Sequence, residues 1–314
     1  VDGTSPEGPI KRILQEAGAA DLVDVLAEQL APTDLQTLLL EVYRRRSTRI
    51  SPADLLTRYE DNRFTRSSHL DPMATAAFEH MAWSLLPHGY QGLELSPLCP
   101  LGTNSVVATV DQNKVVSTVR NTEVVADSTN VLALECAIRR RHLLAHPGSR
   151  FDRVCLVTSQ RQVRGQAFGG PSEWAHFRIL GMAAAGRDQG SFSFESEALC
   201  QQIAYLMTVV NRARPDWQVQ LALTDLGGRL DILESAVLAP LSRRFPHGTF
   251  RMDPDRDSGR GYYVDACYKI FATDTSDTTV ELADGGCTSW TRQLLSDDKE
   301  RLVIGGLGVD RLLA

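Results

Sequence analysis

Residues 159–181 hold the side chains best suited to chemistry. An alternating run leads to Val163-Arg164, breaks at Phe168-Gly169-Gly170-Pro171, and resumes as Ala175-His176-Phe177-Arg178-Ile179-Leu180-Gly181. Two glycines and a proline between extended runs predict strand, loop, strand. An arginine at the end of such a strand suits a phosphate or carboxylate, because a guanidinium presents several fixed donors. An ordinary hairpin with a surface arginine is the competing reading. Asp127-Ser128-Thr129 precedes a helical pattern and reads as a helix cap. His142 and His146 are four apart and could share a helix face. There is no third ligand near them and no His-Glu-x-x-His, so no metal site is expected. Neither G-x-x-x-x-G-K-[ST] nor a G-x-G-x-x-G after a strand is present, which removes the commonest nucleotide loops.

These groups need a scaffold. Apolar spacing predicts helices over residues 9–46, at Ser51-Pro52-Ala53-Asp54, and over 73–86. A strand then runs to Pro97. Strands are expected at 105–110 and 115–125, and a helix follows that ends in Arg139-Arg140-Arg141. A strand is expected over 153–158 and a helix over 195–213. Beyond them come a strand over 217–224, a helix over 231–244, and strands over 262–273 and 279–282. The chain closes with helix 288–295, strand 302–306 and helix 309–313. Strands in hairpin-like order between helices predict an α+β protein with an antiparallel or mixed sheet. The expected division is an N-terminal helical segment, 1–70, and a core domain, 71–314.

The chain has 314 residues, a formal charge of −6, and 43% apolar and 23% charged residues. That is the composition of a soluble globular protein, and the acidic balance argues against a general nucleic-acid-binding face. Two local basic runs, Arg44 to Arg49 and Arg139 to Arg141, leave an RNA contact as a weaker reading beside solvated helix ends. No apolar run is long enough for a membrane span. No secretory leader is legible, and the six scattered cysteines read as reduced thiols, so a cytoplasmic protein is expected.

Three stretches, in order, resemble the signature motifs of class II aminoacyl-tRNA synthetases. They are most similar to histidyl-tRNA synthetase and its paralogue, the ATP phosphoribosyltransferase regulatory subunit. The first is the helix into Gly89-Tyr90 with the strand closing at Pro97. The second is Val163-Arg164-Gly165-Gln166, the loop, then Phe177-Arg178-Ile179-Leu180-Gly181. The third is Gly305-Gly306-Leu307-Gly308-Val309-Asp310-Arg311-Leu312-Leu313.

The resemblance implies an antiparallel sheet flanked by helices and a homodimer formed around Gly89–Pro97. It implies ATP with Mg2+ at Arg164, Gln166, Phe177 and Arg311, where Arg164 holds the α-phosphate and Arg311 the terminal phosphate. It implies a substrate side formed by Asp127, Thr129, Tyr262, Tyr263, Gly285 and Gly286. Departures are visible. Gln166 stands where the family has a glutamate and Ile179 where it has a glutamine. Gly285-Gly286-Cys287-Thr288-Ser289 keeps only the glycines of a Gly-Gly-Arg-Tyr-Asp element. Histidine is therefore not the expected ligand, and an anticodon-binding domain is not expected after Arg311. Two functions follow from the resemblance. One is a free-standing protein that binds ATP and adenylates an amino acid or other small carboxylate. The other is a non-catalytic regulatory or scaffold subunit acting through protein partners.

Overall fold

The computed structural model describes residues 7–165 and 174–314. The chain divides into two units, Val1–Asp61 with Ser117–Thr122, and Asn62–Val116 with Glu123–Ala314. The first unit is helical: α1 (Glu7–Ala17), α2 (Leu22–Asp24), α3 (Pro32–Ser47) and α4 (Pro52–Asp61). Pro32 and Pro52 open their helices, where a proline lacks only a donor that would be orphaned anyway. No side chain of α2, α3 or α4 is buried, and Leu38, Val42, Leu55 and Leu56 remain exposed.

The second unit begins with α5 (Pro72–Ser84), capped by the Asp71 carboxylate on the Met73 and Ala74 amides. There follow β1 (Tyr90–Gly92), β2 (Leu98–Pro100), β3 (Thr122–Val124), α6 (Ser128–Leu144), β4 (Val154–Val163) and β5 (His176–Arg187). Next come α7 (Ser193–Ala213), β6 (Gln218–Asp225), α8 (Leu230–Leu233), α9 (Ala239–Arg244) and β7 (Thr249–Met252). The unit ends with β8 (Val264–Thr273), β9 (Thr279–Thr288), α10 (Trp290–Leu295), β10 (Glu300–Gly308) and α11 (Val309–Leu313). Eight strands make one sheet in the order β1-β4-β5-β10-β9-β8-β6-β7. Only the outermost pairs, β1 with β4 and β6 with β7, are parallel. The expected helix-flanked, mostly antiparallel α+β sheet is therefore observed.

Side-chain alternation splits the sheet into two faces. Val303 and Leu307 of β10, Leu180 and Met182 of β5, and Tyr268 and Ile270 of β8 pack with α7 in the larger core. Leu302 and Ile304, Ala183 and Ala185, and Cys267 pack with α6 and Trp290 in the smaller one. Two glycines let Tyr268 stand upright in the larger core. A Cβ on Gly285 would meet its ring at 2.5 Å, and one on Gly305 would run into its hydroxyl.

Three local expectations are corrected. The residues expected as strand 105–110 begin inside a helical turn, Thr103–Val107. The buried Glu123 carboxylate accepts from the amides of Gly102 and Asn104, the Asn104 side chain and Gln112, and so gathers this backbone into a turn. Within 115–125 only Thr122–Val124 is strand. The strand expected to close at Pro97 is three residues long, and the Pro97 carbonyl instead accepts from the Val125 amide at 3.1 Å.

The triple-arginine end of α6 is only partly solvated: Arg141 is exposed, but the two arginines before it are engaged. Arg140 is fully buried against Glu300, while Arg139 bonds Gln91 and pairs with Glu135. In the other basic run, Arg44 and Arg45 both pair with Glu41. No helix among the described residues is long and apolar enough to cross a membrane.

Candidate active site

The α6 face of the sheet is left open toward β5, β9, β10 and α11, and the opening is a cavity of about 1160 Å3. That exceeds the roughly 300–1,000 Å3 of a typical small-molecule pocket, so it has room for two ligands side by side. Arg164, just past the end of β4, lies on its wall. Its Nε donates to the Ala126 carbonyl at 3.1 Å and its Nη2 reaches Asp127 Oδ2 at 3.4 Å. Its guanidinium lies over the Phe177 ring, 5.0 Å from the centroid. The backbone is pinned at this point, because the Arg164 amide donates to Ala175 and the Gly165 amide to Lys114.

Asp127 caps the helix as expected and also reaches the cavity. One oxygen caps α6, accepting from the Thr129 amide at 2.9 Å and the Thr129 hydroxyl at 2.7 Å. The other faces Arg164 and the cavity. Tyr262 completes this end. Burial, and then the Asp127 charge, hold its phenol well above the ordinary value, so it stays protonated as a donor at neutral pH. It meets Tyr263 and Trp290 edge-on, at 4.9 and 5.2 Å between ring centroids.

At the other end, Arg311 on α11 lines the cavity with its Nη1 on the Glu281 carbonyl at 3.2 Å. No carboxylate among the described residues lies within ion-pair distance of it. Nearby acidic groups are engaged: Glu281 with Lys269 at 2.7 Å, and Asp310 with the Arg178 amide at 2.6 Å and Arg161 at 3.5 Å.

One cavity thus gathers Arg164, Phe177, Arg311, Asp127, Thr129, Tyr262 and Tyr263 from stretches far apart in the chain. Gln166 lies outside the described residues. Gly285 and Gly286 do not line the cavity; their Cβ positions point into Tyr268 and into the β8 backbone. Lining residues that the sequence did not single out include Asn104, Lys114, Arg260, Glu281 and Asp284. Of these, Asp284 carried a readable signal, a carboxylate directly before a glycine pair. His146 turns its Nδ1 to the His142 carbonyl at 2.9 Å, and no group of three His, Cys, Asp or Glu among the described residues is placed to hold a metal.

The backbone matches apo histidyl-tRNA synthetase from S. aureus with a TM-score of 0.56 at 13% identity, over 79% of this chain and 67% of that one. It matches an ATP phosphoribosyltransferase regulatory subunit/histidyl-tRNA synthetase from Bacillus halodurans with a TM-score of 0.56 at 14% identity, over 80% and 81%. This is the class II aminoacyl-tRNA synthetase fold. A structure described as the RNA-binding domain of threonyl-tRNA synthetase from Cryptosporidium parvum matches with a TM-score of 0.55 at 8% identity, over 76% of this chain and 62% of that one. No family model and no curated protein matches the sequence. Identities this low make the likeness one of fold, and function has to be argued from the cavity.

Proposed function

We propose that the protein binds ATP in this cavity and joins its α-phosphate to the carboxylate of an amino acid or other small acid, forming an adenylate and releasing pyrophosphate. The supporting observation is the convergence of an arginine stacked on an aromatic ring, Arg164 on Phe177, with a second arginine, Arg311, in one cavity roomy enough for two ligands. Adenylation asks little covalent chemistry of a protein. It asks that triphosphate charge be held, that the acid oxygen be aimed at the α-phosphorus, and that water be kept out.

Phe177 offers an apolar face to the adenine, Arg164 would hold the α-phosphate, and Arg311 would hold the terminal phosphate. Asp127, Thr129 and the protonated Tyr262 would hold the ammonium end of an amino acid. Mg2+ would come with the nucleotide, and Glu281 and Asp310 are the cavity carboxylates at the Arg311 end. Both already hold cations or amides, which suits an ion that keeps its phosphate and water ligands, not an all-protein cage. When bound, the ion supplies charge neutralisation to the triphosphate.

A second reading is a non-catalytic subunit acting through protein partners. The observation favouring it is that the Arg164 guanidinium is turned onto the Ala126 carbonyl and Asp127. Calorimetric titration of ATP with Mg2+ tests the first reading. Binding that is lost in Arg164→Ala and Arg311→Ala, with pyrophosphate exchange on at least one carboxylate, is expected. ATP binding unchanged in both variants would sink it, and absent exchange with intact ATP binding would favour the subunit reading.

A further inference from the structure

Asp284 stands in the cavity wall and has no part in the scheme above. In β9 it is paired across from Gly306 of β10 on one side and Lys269 of β8 on the other. Glycine at 306 leaves the space beside it open; a Cβ there would meet only Ile179, at 3.2 Å. Behind Asp284 sits Arg256, 6% exposed. Its Nη2 lies 2.9 and 3.0 Å from the two Asp284 oxygens, its Nε donates to the Ser258 carbonyl at 2.8 Å, and its guanidinium lies over the Tyr263 ring at 5.5 Å.

The two partners differ in exposure. The cation is sealed, with a side chain 3% exposed, while the carboxylate is 38% exposed and lines the cavity. A carboxylate has about four acceptor sites, so a single guanidinium nitrogen leaves it well short of saturation. Burial raises the Asp284 carboxyl above its ordinary value, and Arg256 only partly offsets this. The same chamber holds the ammonium end proposed above, because Asp127, Thr129, Tyr262 and Asp284 line one cavity.

We propose that Asp284, held from behind by Arg256, determines specificity by accepting a hydrogen bond from the far end of an amino-acid substrate. The class it selects has a side chain ending in an N–H or O–H donor. An acid-ended side chain would place like charges together. An apolar one would bury the carboxylate with an acceptor unfilled, the kind of mismatch that discriminates strongly. Because Arg256 neutralises the pair, the selection is for a donor and does not demand a cation. The inference rests on the amino-acid side of the function proposed above.

The test is calorimetric titration of the full chain with near-isosteric sets: glutamine, glutamate and methionine; asparagine, aspartate and leucine; lysine and norleucine. In whichever set binds most tightly, the donor-ended member is expected to lead by about tenfold or more. Asp284→Asn keeps an acceptor for Arg256 and so keeps the fold, which a thermal melt verifies. In that variant the lead over the acid-ended member, or over norleucine in the lysine set, is expected to collapse. Equal affinities within the set, a lead untouched by Asp284→Asn, or no binding by any member would overturn the inference. ATP titrated in parallel separates the two ideas: donor selectivity without ATP binding retires adenylation alone, and ATP binding without selectivity retires the role of Asp284 alone.

Discussion

Helix α6 carries an arginine–carboxylate pair at each end, and the two pairs are built in opposite ways. Toward its C-terminal end, Arg140 and Glu300 have wholly buried side chains and meet twice, Nε–Oε2 and Nη2–Oε1, both at 2.8 Å. Arg140 also donates to the carbonyls of Arg150 and Asp152, and Arg187 adds a second cation to Glu300 at 3.3 Å. At the N-terminal end, Asp127 and Arg164 meet once, at 3.4 Å, with side chains 24% and 36% exposed. The first pair has nearly every donor matched and no route to solvent, so it joins α6 to β10. The second is loose and wet, so either member can leave it for a ligand at little cost. Buried ion pairs are expensive to break and exposed ones are not. The difference teaches that the fold uses saturated charge for attachment and leaves under-saturated charge on the cavity wall.

The largest effect is expected from Glu300→Ala, which strands Arg140 in the interior, while Arg187 keeps Asp297 at 2.8 Å. It should cost about 3–5 kcal/mol, read as a fall in the urea midpoint. Glu123→Ala removes one carboxylate from four donors around Gly102, Asn104 and Gln112. A loss of about 3 kcal/mol is expected by the same measurement. This group also predicts a pH dependence. Burial pushes the Glu123 carboxyl up, but the four donors outweigh it and the net direction is down. Its contribution is therefore present above the ordinary carboxylate pKa and is lost as pH falls through the lower folded value. Glu123→Gln should flatten the acid limb of a stability-against-pH curve.

The loose pair should behave otherwise. Arg164→Ala is expected to change stability by less than about 1 kcal/mol. The same variant should weaken ATP binding by about tenfold or more, since a charge-assisted bond is worth about 1.5–3 kcal/mol. If it instead unfolded the protein as Glu300→Ala does, the contrast between the two ends would fail. The smallest effect is expected from Asp127→Asn, which keeps a good helix cap, with stability within about 0.5 kcal/mol. In the absence of an amino acid it should raise ATP affinity about two- to fivefold, because Arg164 no longer has an internal competitor.

Much of the fold is legible in local sequence, and the particulars show why the rest is not. The cap at Asp127 follows from neighbouring residues alone, whereas the loop expected at Phe168-Gly169-Gly170-Pro171 lies outside the described residues. The fate of Arg140 could have been read: Ala133, Cys136, Ala137 and Arg140 form an i, i+3, i+4, i+7 stripe, and the first three are core residues. Consecutive arginines on a helix point about 100° apart, so a basic run there need not be a basic surface. The turn at Thr103–Val107 could not be read, because a distant carboxylate, Glu123, overrides the strand character of Val106-Val107. In the cavity, motif resemblance found two arginines that line it, Arg164 and Arg311. It missed Asp284, because the meaning of that residue depends on Arg256 behind it and on the gap at Gly306 beside it.

Gly305 and Gly306 are neighbours in the chain, yet they belong to different compartments. A methyl group on Gly305 would press against the Tyr268 hydroxyl in the core, whereas one on Gly306 would enter the cavity and touch only Ile179. Drift in sequence can therefore explore ligand size at one position while the next is closed to it. A protein engineer reshaping this chamber has an adjustable wall at Gly306 and Ile179, backed by a partition one strand thick that must stay as it is.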